Sequence, residues 1–457
     1  MSKIFCIGIG GVGMTPLAIY LNQQGHQVAG SDLSDFRMRN ALESKGIKVS
    51  LFHSSDNCKN ADLLLYSTAI PKDNPEIKYA IENHIPILNR LEALRLFLKR
   101  KKIIAVTGSY GKSTTTAFTA SILKYRGMNP SWLVGADLFL FPPAEYNDSE
   151  WMVLETDESK PDFLEFDPYS VLLTNIGNDH LPNYNNSQEK LANTFLQFIK
   201  RKNPAGKVYL NADDPFISSF QQELDRKDYV LCGKTKESDY SFQIVSTGYK
   251  NQKIKTVFDL TIPCGKTYKC EIPMLGEKNV LDAVLAFALT VDLAGNADQC
   301  IQGFPLMPVM DRRFEICSDN GVSMVIDDEG DSPEVIYTVF ENAKKLFPNK
   351  KIISILQPHR YSRLKNLFQE YVRIMVQGPD EIILLPVFSA GEEEIAGINS
   401  ETLMKSIIEA GFSPNQIQSL SMDCTIHYLH TCIDKPYLII TLGPGDVWKV
   451  ANAYRKP

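Results

Sequence analysis

Apolar runs of strand length recur along this chain, and each gives way to a stretch whose apolar positions return at helical spacing. KIFCIGI, KKIIAVT, WMVLE and SVLLTN are such runs, and each stops at a glycine, an acid or a small polar residue. That alternation predicts parallel strands covered by helices, an α/β fold and not an all-β or all-α one. One segment departs from it. KTVFDLTIPCGKTYKCEIPMLG carries two alternating strands joined across Cys264, Gly265 and Lys266, which predicts a hairpin added to a parallel sheet. Three nucleotide-type beginnings, KIFCIGIGGVG, KKIIAVTGSYGKSTTT and the region opening at MDRRFEI, predict three domains over residues 1–97, 98–308 and 309–457. The first boundary falls between Arg95 and Lys102, where a helix with a basic end precedes a buried strand. The second falls between Pro305 and Asp311, where two prolines interrupt helical periodicity.

Length agrees, because 457 residues exceed what one ordinary core holds. With 44% hydrophobic and 22% charged residues the composition is that of a soluble globular chain. A net charge of -6 supplies no general attraction for nucleic acid or anionic lipid, so any phosphate binding must be local. The nine cysteines are scattered singly with no Cys-x-x-Cys pair, which predicts a reducing compartment and no zinc cluster. The amino terminus lacks the regions of a secretory signal, and no apolar stretch is long enough to span a bilayer. A cytoplasmic protein without membrane or nucleic-acid partners, monomeric or weakly dimeric, is therefore expected.

Gly8, Gly10 and Gly13 satisfy G-x-G-x-x-G between the strand Ile4 to Ile7 and a helical stretch. Glycine there lets a pyrophosphate approach backbone amides at a helix N-terminus, and Asp32 closes the next strand where a ribose-binding acid would stand. The pattern fits NAD, a uridine diphosphate, or a tight turn with no ligand. The chain holds no evident hydride-transfer constellation, which weighs against NAD.

The strongest signal is KKIIAVTGSYGKSTTT. A buried strand, Ile103 to Val106, leads into Thr107, Gly108, Ser109, Tyr110 and Gly111, followed by Lys112, Ser113 and Thr114 at a helix start. Loop amides can cradle phosphates, the lysine can reach the β- and γ-phosphates, and the Ser113 hydroxyl can ligate Mg²⁺. The strict G-x-x-x-x-G-K-[ST] spacing is not met, since Val106 holds its first glycine position. Acids at neighbouring strand ends should complete a metal site, and Glu155 after WMVL and Asp179 with His180 after SVLLTNIGN stand at such ends.

Taken in order, GIGGVGM with GSD, YSTAIPKDNPEI, TGSYGKSTTT, LETDES, TNIGNDH, LGEKNVLDAVLA, DRRFE, VIDDEGDSP, QPHRYSR and TLGPGD resemble the Mur ligases over essentially the whole chain. The resemblance implies a Rossmann-like UDP-binding domain, a central P-loop ATPase-type domain and a Rossmann-like third domain that brings the amino acid. It implies ATP-dependent joining of an amino acid, alanine by the nearest motifs, to the carboxylate of a UDP-N-acetylmuramate-type nucleotide sugar through an acyl phosphate, in peptidoglycan precursor synthesis. By motif, Gly10, Gly11, Gly13, Ser67 and Thr68 would face the nucleotide sugar. Gly108, Gly111, Lys112, Ser113 and Thr114 would hold ATP, and Ser113, Glu155 and His180 would hold Mg²⁺. Asn279 would contact adenine, Arg313 the γ-phosphate and Asp328 the ribose. His359, Arg360 and Arg363 would wall the amino acid and the substrate carboxylate, and Lys112, His180 and Arg313 would be the catalytic set.

The chain departs from the family in two places. Ser109 and Tyr110 stand where a histidine or aspartate usually precedes Gly-Lys-Thr, with Ser113 as the hydroxyl residue. The family's Asp-Tyr-Gly-His-His-Pro run is here Asp328, Glu329, Gly330, Asp331, Ser332 and Pro333. Either Glu329 and Asp331 turn the amino-acid pocket toward a more cationic nucleophile, or they sit at a helix start for structural reasons. A relative using a different amino acid or peptide, and a homologue that binds nucleotide sugar without turnover, both remain compatible with these residues.

Overall fold

The computed structural model describes residues 1–136, 141–178, 180–330 and 332–455. Asp179 and Asp331 lie outside the described residues. Three sheets organise the chain, of five, ten and six strands. The first is wholly parallel. Its central strand Lys3–Ile7 lies between Gln27–Ser31 and Leu63–Tyr66, with Lys48–Ser50 and Ile87–Asn89 at the edges. The chain reverses direction of travel across the sheet beside Lys3–Ile7, and ligands of open α/β sheets bind at the carboxyl ends of strands at such a point.

In the second sheet Lys102–Thr107 sits between Trp151–Glu155 and Ser170–Leu173, parallel to both. Buried aliphatic runs such as Ile104, Ala105 and Val106 are what strands covered on both faces require. The expected hairpin exists, with Lys253–Thr261 antiparallel to Thr267–Ile272 and Thr261 opposite Thr267. It is part of a larger addition, because Tyr240–Lys250 joins it to the parallel strand Tyr229–Gly233. The alternation of Tyr240–Lys250 fades toward an exposed end, which is why the pattern alone did not reveal it. The third sheet is parallel apart from the edge strand Glu315–Asp319, which runs antiparallel to Met324–Asp328.

The chain divides into two compact units, Met1–Thr247 with Ile254–Val309, and Gly248–Lys253 with Met310–Pro457. The first two sheets thus share one unit and one continuous core. Tyr20 and Leu21 of the helix Met14–Gln23 lie in the same apolar cluster as Leu133, Ala144 and Phe195, and Tyr146 donates its amide to Gln23 Oε1 at 2.8 Å. Part of YSTAIPKDNPEI is structural. Asn74 caps the helix Pro75–Glu82, and the fully buried Glu76 accepts from Ser31 Oγ at 2.8 Å, Asn57 Nδ2 at 2.9 Å and the Ser54 amide at 3.2 Å. Among the described residues, no helix is long and apolar enough to cross a membrane.

Candidate active site

The first glycine turn is more heavily committed than its sequence implies. Gly8 and Ile9 donate their amides to Ser31 O, Gly11 donates to Gly8 O, and Gly10 donates to Asp32 Oδ2 at 2.9 Å. Asp32, expected at a ribose, thus holds the turn, and its other oxygen accepts from the Leu33 amide at 2.8 Å. Between Gly8 and Thr15, the amides of Val12 and Gly13 make no hydrogen bond among the described residues. Val12 is exposed and Gly13 half-buried at the uncapped start of the helix Met14–Gln23, where an anion is favoured. Ser67 packs beside Gly8, whose added Cβ would come within 3.3 Å of Ser67 Cβ, and Thr68 is exposed beyond it.

The second loop is built as a phosphate cradle. Gly108 (φ +131°) lies so close to the next strand end that a Cβ would stand 2.2 Å from Thr174 Oγ1. Thr174 and Asn175 pin the loop: Thr174 Oγ1 and Asn175 Nδ2 donate to Tyr110 O at 2.6 and 2.8 Å, and Asn175 Oδ1 accepts from the Tyr110 amide at 2.9 Å. Gly111 (φ +82°) then starts the helix Lys112–Tyr125 with no side-chain cap, and the first amides of that helix, at Lys112, Ser113 and Thr114, make no hydrogen bond among the described residues and are open to a ligand.

Lys112 folds back over this cradle. Its Nζ donates to Gly108 O at 2.7 Å, Ser109 O at 3.2 Å and Glu158 Oε1 at 2.9 Å. Glu158 is buried, its second oxygen has no hydrogen-bond partner among the described residues, and desolvation raises its pKa against the pull of Lys112. The motif LETDES therefore supplies two acids of different use, three residues apart. Glu155 ends its strand in register with Val106, and its Oε2 accepts from the Gly135 amide at 2.7 Å.

On the helix Gly276–Ala294, Asn279 Nδ2 donates to Leu275 O at 2.6 Å within its own helix start. The residues turned to the phosphate loop are its neighbours. Lys278 Nζ lies 5.9 Å from the Tyr110 ring centroid, and the buried Asp282 stands where a Gly111 Cβ would meet it at 2.8 Å. Their spacing of four places both on one helix face.

Ser113 and Glu155 suit Mg²⁺, which takes one or two carboxylates and fills the rest of its shell with water and phosphate oxygens. Among the described residues no group of three or more His, Cys, Asp or Glu gathers as a protein-only metal cage. His180 stands exposed on a left-handed residue (φ +59°) before the turn Leu181–Tyr184.

Within the second unit, DRRFE splits its two arginines. Arg312 is buried against Asp327 Oδ2 at 2.9 Å, whereas the exposed Arg313 pairs with Glu329 at 3.4 Å. Glu329 thus meets an arginine and does not cap the helix Pro333–Leu346, whose first-turn acid is Glu334. Asp328 accepts from the Phe314 amide at 2.7 Å and the Gly330 amide at 2.8 Å, fastening the strand Met324–Asp328 to the preceding turn. His359 stacks on Phe388 with ring centroids 5.7 Å apart. The turn that carries exposed Arg360 and half-buried Arg363 is held by Glu392, which accepts from the Ser362 hydroxyl at 2.7 Å and its amide at 3.0 Å.

Burial drives the Asp328 pKa up to about 6, against the opposing pull of Arg313 and the two amides. The folded state therefore holds that proton more tightly than the unfolded chain, and this contribution to stability is lost as pH rises from about 4 to about 6. We predict that Asp328→Asn, measured by urea unfolding, gains about 3 kcal/mol relative to the parent protein between pH 4 and pH 6. A pH-independent difference would refute the shift.

A parallel-sheet phosphate loop with lysine, hydroxyl and strand-end acid, beside a glycine turn on a second parallel sheet, defines a multidomain nucleotide-using enzyme. The Mur ligase family catalytic domain profile matches residues 3–102, and the Mur ligase middle domain profile matches residues 106–290. UDP-N-acetylmuramate–L-alanine ligase of Pelobacter propionicus is 32% identical over 99% of this chain and 97% of its own length. The enzyme of that name from Dictyoglomus turgidum is 32% identical over 99% of this chain and 96% of its own. Among solved structures, the UDP-N-acetylmuramate–alanine ligase of Thermotoga maritima superposes with a TM-score of 0.80 at 27% identity, over 99% of this chain and 98% of that one. The chain belongs to the Mur ligase family, and it is an ATP-dependent ligase forming carbon–nitrogen bonds.

Sequence reading missed Arg90, Glu158, Asp282 and Glu392. Glu158 and Asp282 left a trace, as an acid three residues after Glu155 and as the i+4 partner of Lys278. Arg90 and Glu392 left none, because their partners are distant in the chain.

Proposed function

We propose that this ligase joins L-alanine to the lactyl carboxylate of UDP-N-acetylmuramate. The observation that carries the reading is the Lys112 cradle, a lysine held over open helix amides beside Glu155. A carboxylate is a poor acyl donor, so its oxygen attacks the γ-phosphorus of ATP, ADP leaves, and an acyl phosphate forms. The alanine amine then adds to the acyl carbon, and the tetrahedral intermediate expels phosphate to leave the amide.

Lys112 exchanges its carbonyl partners for phosphate oxygens and offsets their charge, a task for fixed positive charge more than for acid–base chemistry. Ser113 and Glu155, with His180, would hold Mg²⁺, which would neutralise phosphate charge. The open amides of Val12 and Gly13 receive the UDP diphosphate, with Gly10 and Gly11 shaping that turn and Ser67 and Thr68 bordering it. Asn279 stays the proposed adenine contact, Arg313 the γ-phosphate contact and Asp328 the ribose contact. His359, Arg360 and Arg363 stay the proposed contacts of the amino acid.

Coupled ADP detection tests the reading with nucleotide sugars crossed against amino acids and short peptides. The expected result is ADP release only when UDP-N-acetylmuramate and L-alanine are both present. Release with a peptide or another amino acid in place of alanine would overturn the nucleophile, and release without any amine would overturn the ligation.

A further inference from the structure

Arg90 opens the helix Arg90–Phe97 at the edge of the first sheet. A capping box between Asn89 and Glu92, with bonds of 3.0 and 2.8 Å, fixes its backbone. Its Nε donates to Gly13 O at 3.1 Å, and a Cβ on Gly13 would stand 2.5 Å from that nitrogen and 2.7 Å from Cζ. The third glycine of the turn therefore makes room for a guanidinium. The terminal nitrogens of this half-buried arginine make no hydrogen bond or ion pair among the described residues. Desolvation opposes its charge, and Asp157 and Glu155 offset this only through their fields. A guanidinium partly withdrawn from water, with its terminal nitrogens unclaimed by the described residues, presents a planar pair of donors to an anionic ligand.

We infer that Arg90 is a specificity residue that receives the sugar-borne carboxylate of the nucleotide-sugar substrate. This rests on the function proposed above. The fork matches a planar two-oxygen acceptor. Its position selects which anion. Val12 and Gly13 offer amides for a diphosphate, whereas Arg90 lies against Gly13 within the fields of Asp157 and Glu155, and Glu155 ends the strand paired with the one that leads into the phosphate loop. A carboxylate bound for phosphorylation must enter that acidic ground, and Arg90 supplies the fixed positive charge that lets it do so.

Calorimetric titration with UDP-N-acetylmuramate and UDP-N-acetylglucosamine tests this, since the two share uridine diphosphate and the sugar ring and differ by the lactyl ether that carries the carboxylate. The parent protein should prefer the first. Arg90→Gln should weaken UDP-N-acetylmuramate by about 30-fold and UDP-N-acetylglucosamine by less than about threefold, with Arg90→Lys between, as expected for losing a charge-assisted bond to one group. The ratio of two affinities measured on one folded population is insensitive to lost stability. Equal weakening of both sugars would assign Arg90 to the diphosphate and overturn the inference, as would no weakening of either. A parent protein that does not distinguish the sugars would instead bring down the proposed substrate, and the inference with it.

Discussion

Lys112→Ala should abolish ADP release, lowering turnover by about a thousandfold while leaving nucleotide-sugar affinity within about twofold. The lysine folds back over the second loop at the start of its helix, and the glycine turn lies on a different sheet. The same substitution carries a structural cost. Glu158 is buried with one oxygen on Lys112 and the other without a partner among the described residues, so removing the ammonium strands a carboxyl in the interior. Breaking such a pair costs about 3 kcal/mol. Adding Glu158→Gln to the Lys112→Ala protein should therefore recover most of the urea-unfolding stability without recovering any ADP release. Stability and activity recovered together would mean that the lysine acts on the fold and not on phosphate.

Gly108→Ala should be nearly as damaging by another route. At φ +131° an alanine is strained, and its methyl would stand 2.2 Å from Thr174 Oγ1 and 2.9 Å from Asn175 O. The second contact is a backbone carbonyl two residues past the strand Ser170–Leu173, already held by the Ser109 amide at 3.2 Å, so the loop must move. Strain and overpacking together cost about 3 kcal/mol. Displacing the loop also breaks the Thr174 and Asn175 bonds to Tyr110 that align the cradle, and a misplacement of about 1 Å costs on the order of a hundredfold in rate. Gly127→Ala is the control. It too has a positive φ, +77°, but nothing within 4 Å of the new methyl. It should lose about 1 kcal/mol in urea unfolding and keep its ADP release. Equal losses of activity in both variants would show that backbone strain, not crowding at the cradle, sets the effect.

Much of the architecture was legible because each layer writes a local period. KIFCIGI and KKIIAVT are buried on both faces, and their apolar continuity marks parallel strands wherever the chain later places them. The phosphate loop was legible for a related reason. Gly108 and Gly111 need positive φ, and Lys112 and Ser113 follow within one turn, so the cradle is assembled by neighbours in the chain. The role of Gly13 was not legible. Its spacing suggested a close approach to pyrophosphate, but the atom that occupies the missing Cβ is on Arg90, 77 residues away. The DEGDSP run was ambiguous for the same cause, since the partner of Glu329 is Arg313 on the preceding segment.

The sequence by itself determined the strands, the two glycine turns and the lysine over the second of them, since backbone dihedrals and hydrophobic periods depend on residues a few positions apart. Only the tertiary structure decided which of those groups are still available. Pairing the strands within each sheet spent the Gly10 amide on Asp32 and two Asp328 oxygens on amides, and among the described residues it left open the amides of Val12 and Gly13 and the terminal nitrogens of Arg90. A hydrogen bond can be made only once by a given donor, and whether it is made at home or offered to a ligand depends on what folding brings within about 3 Å.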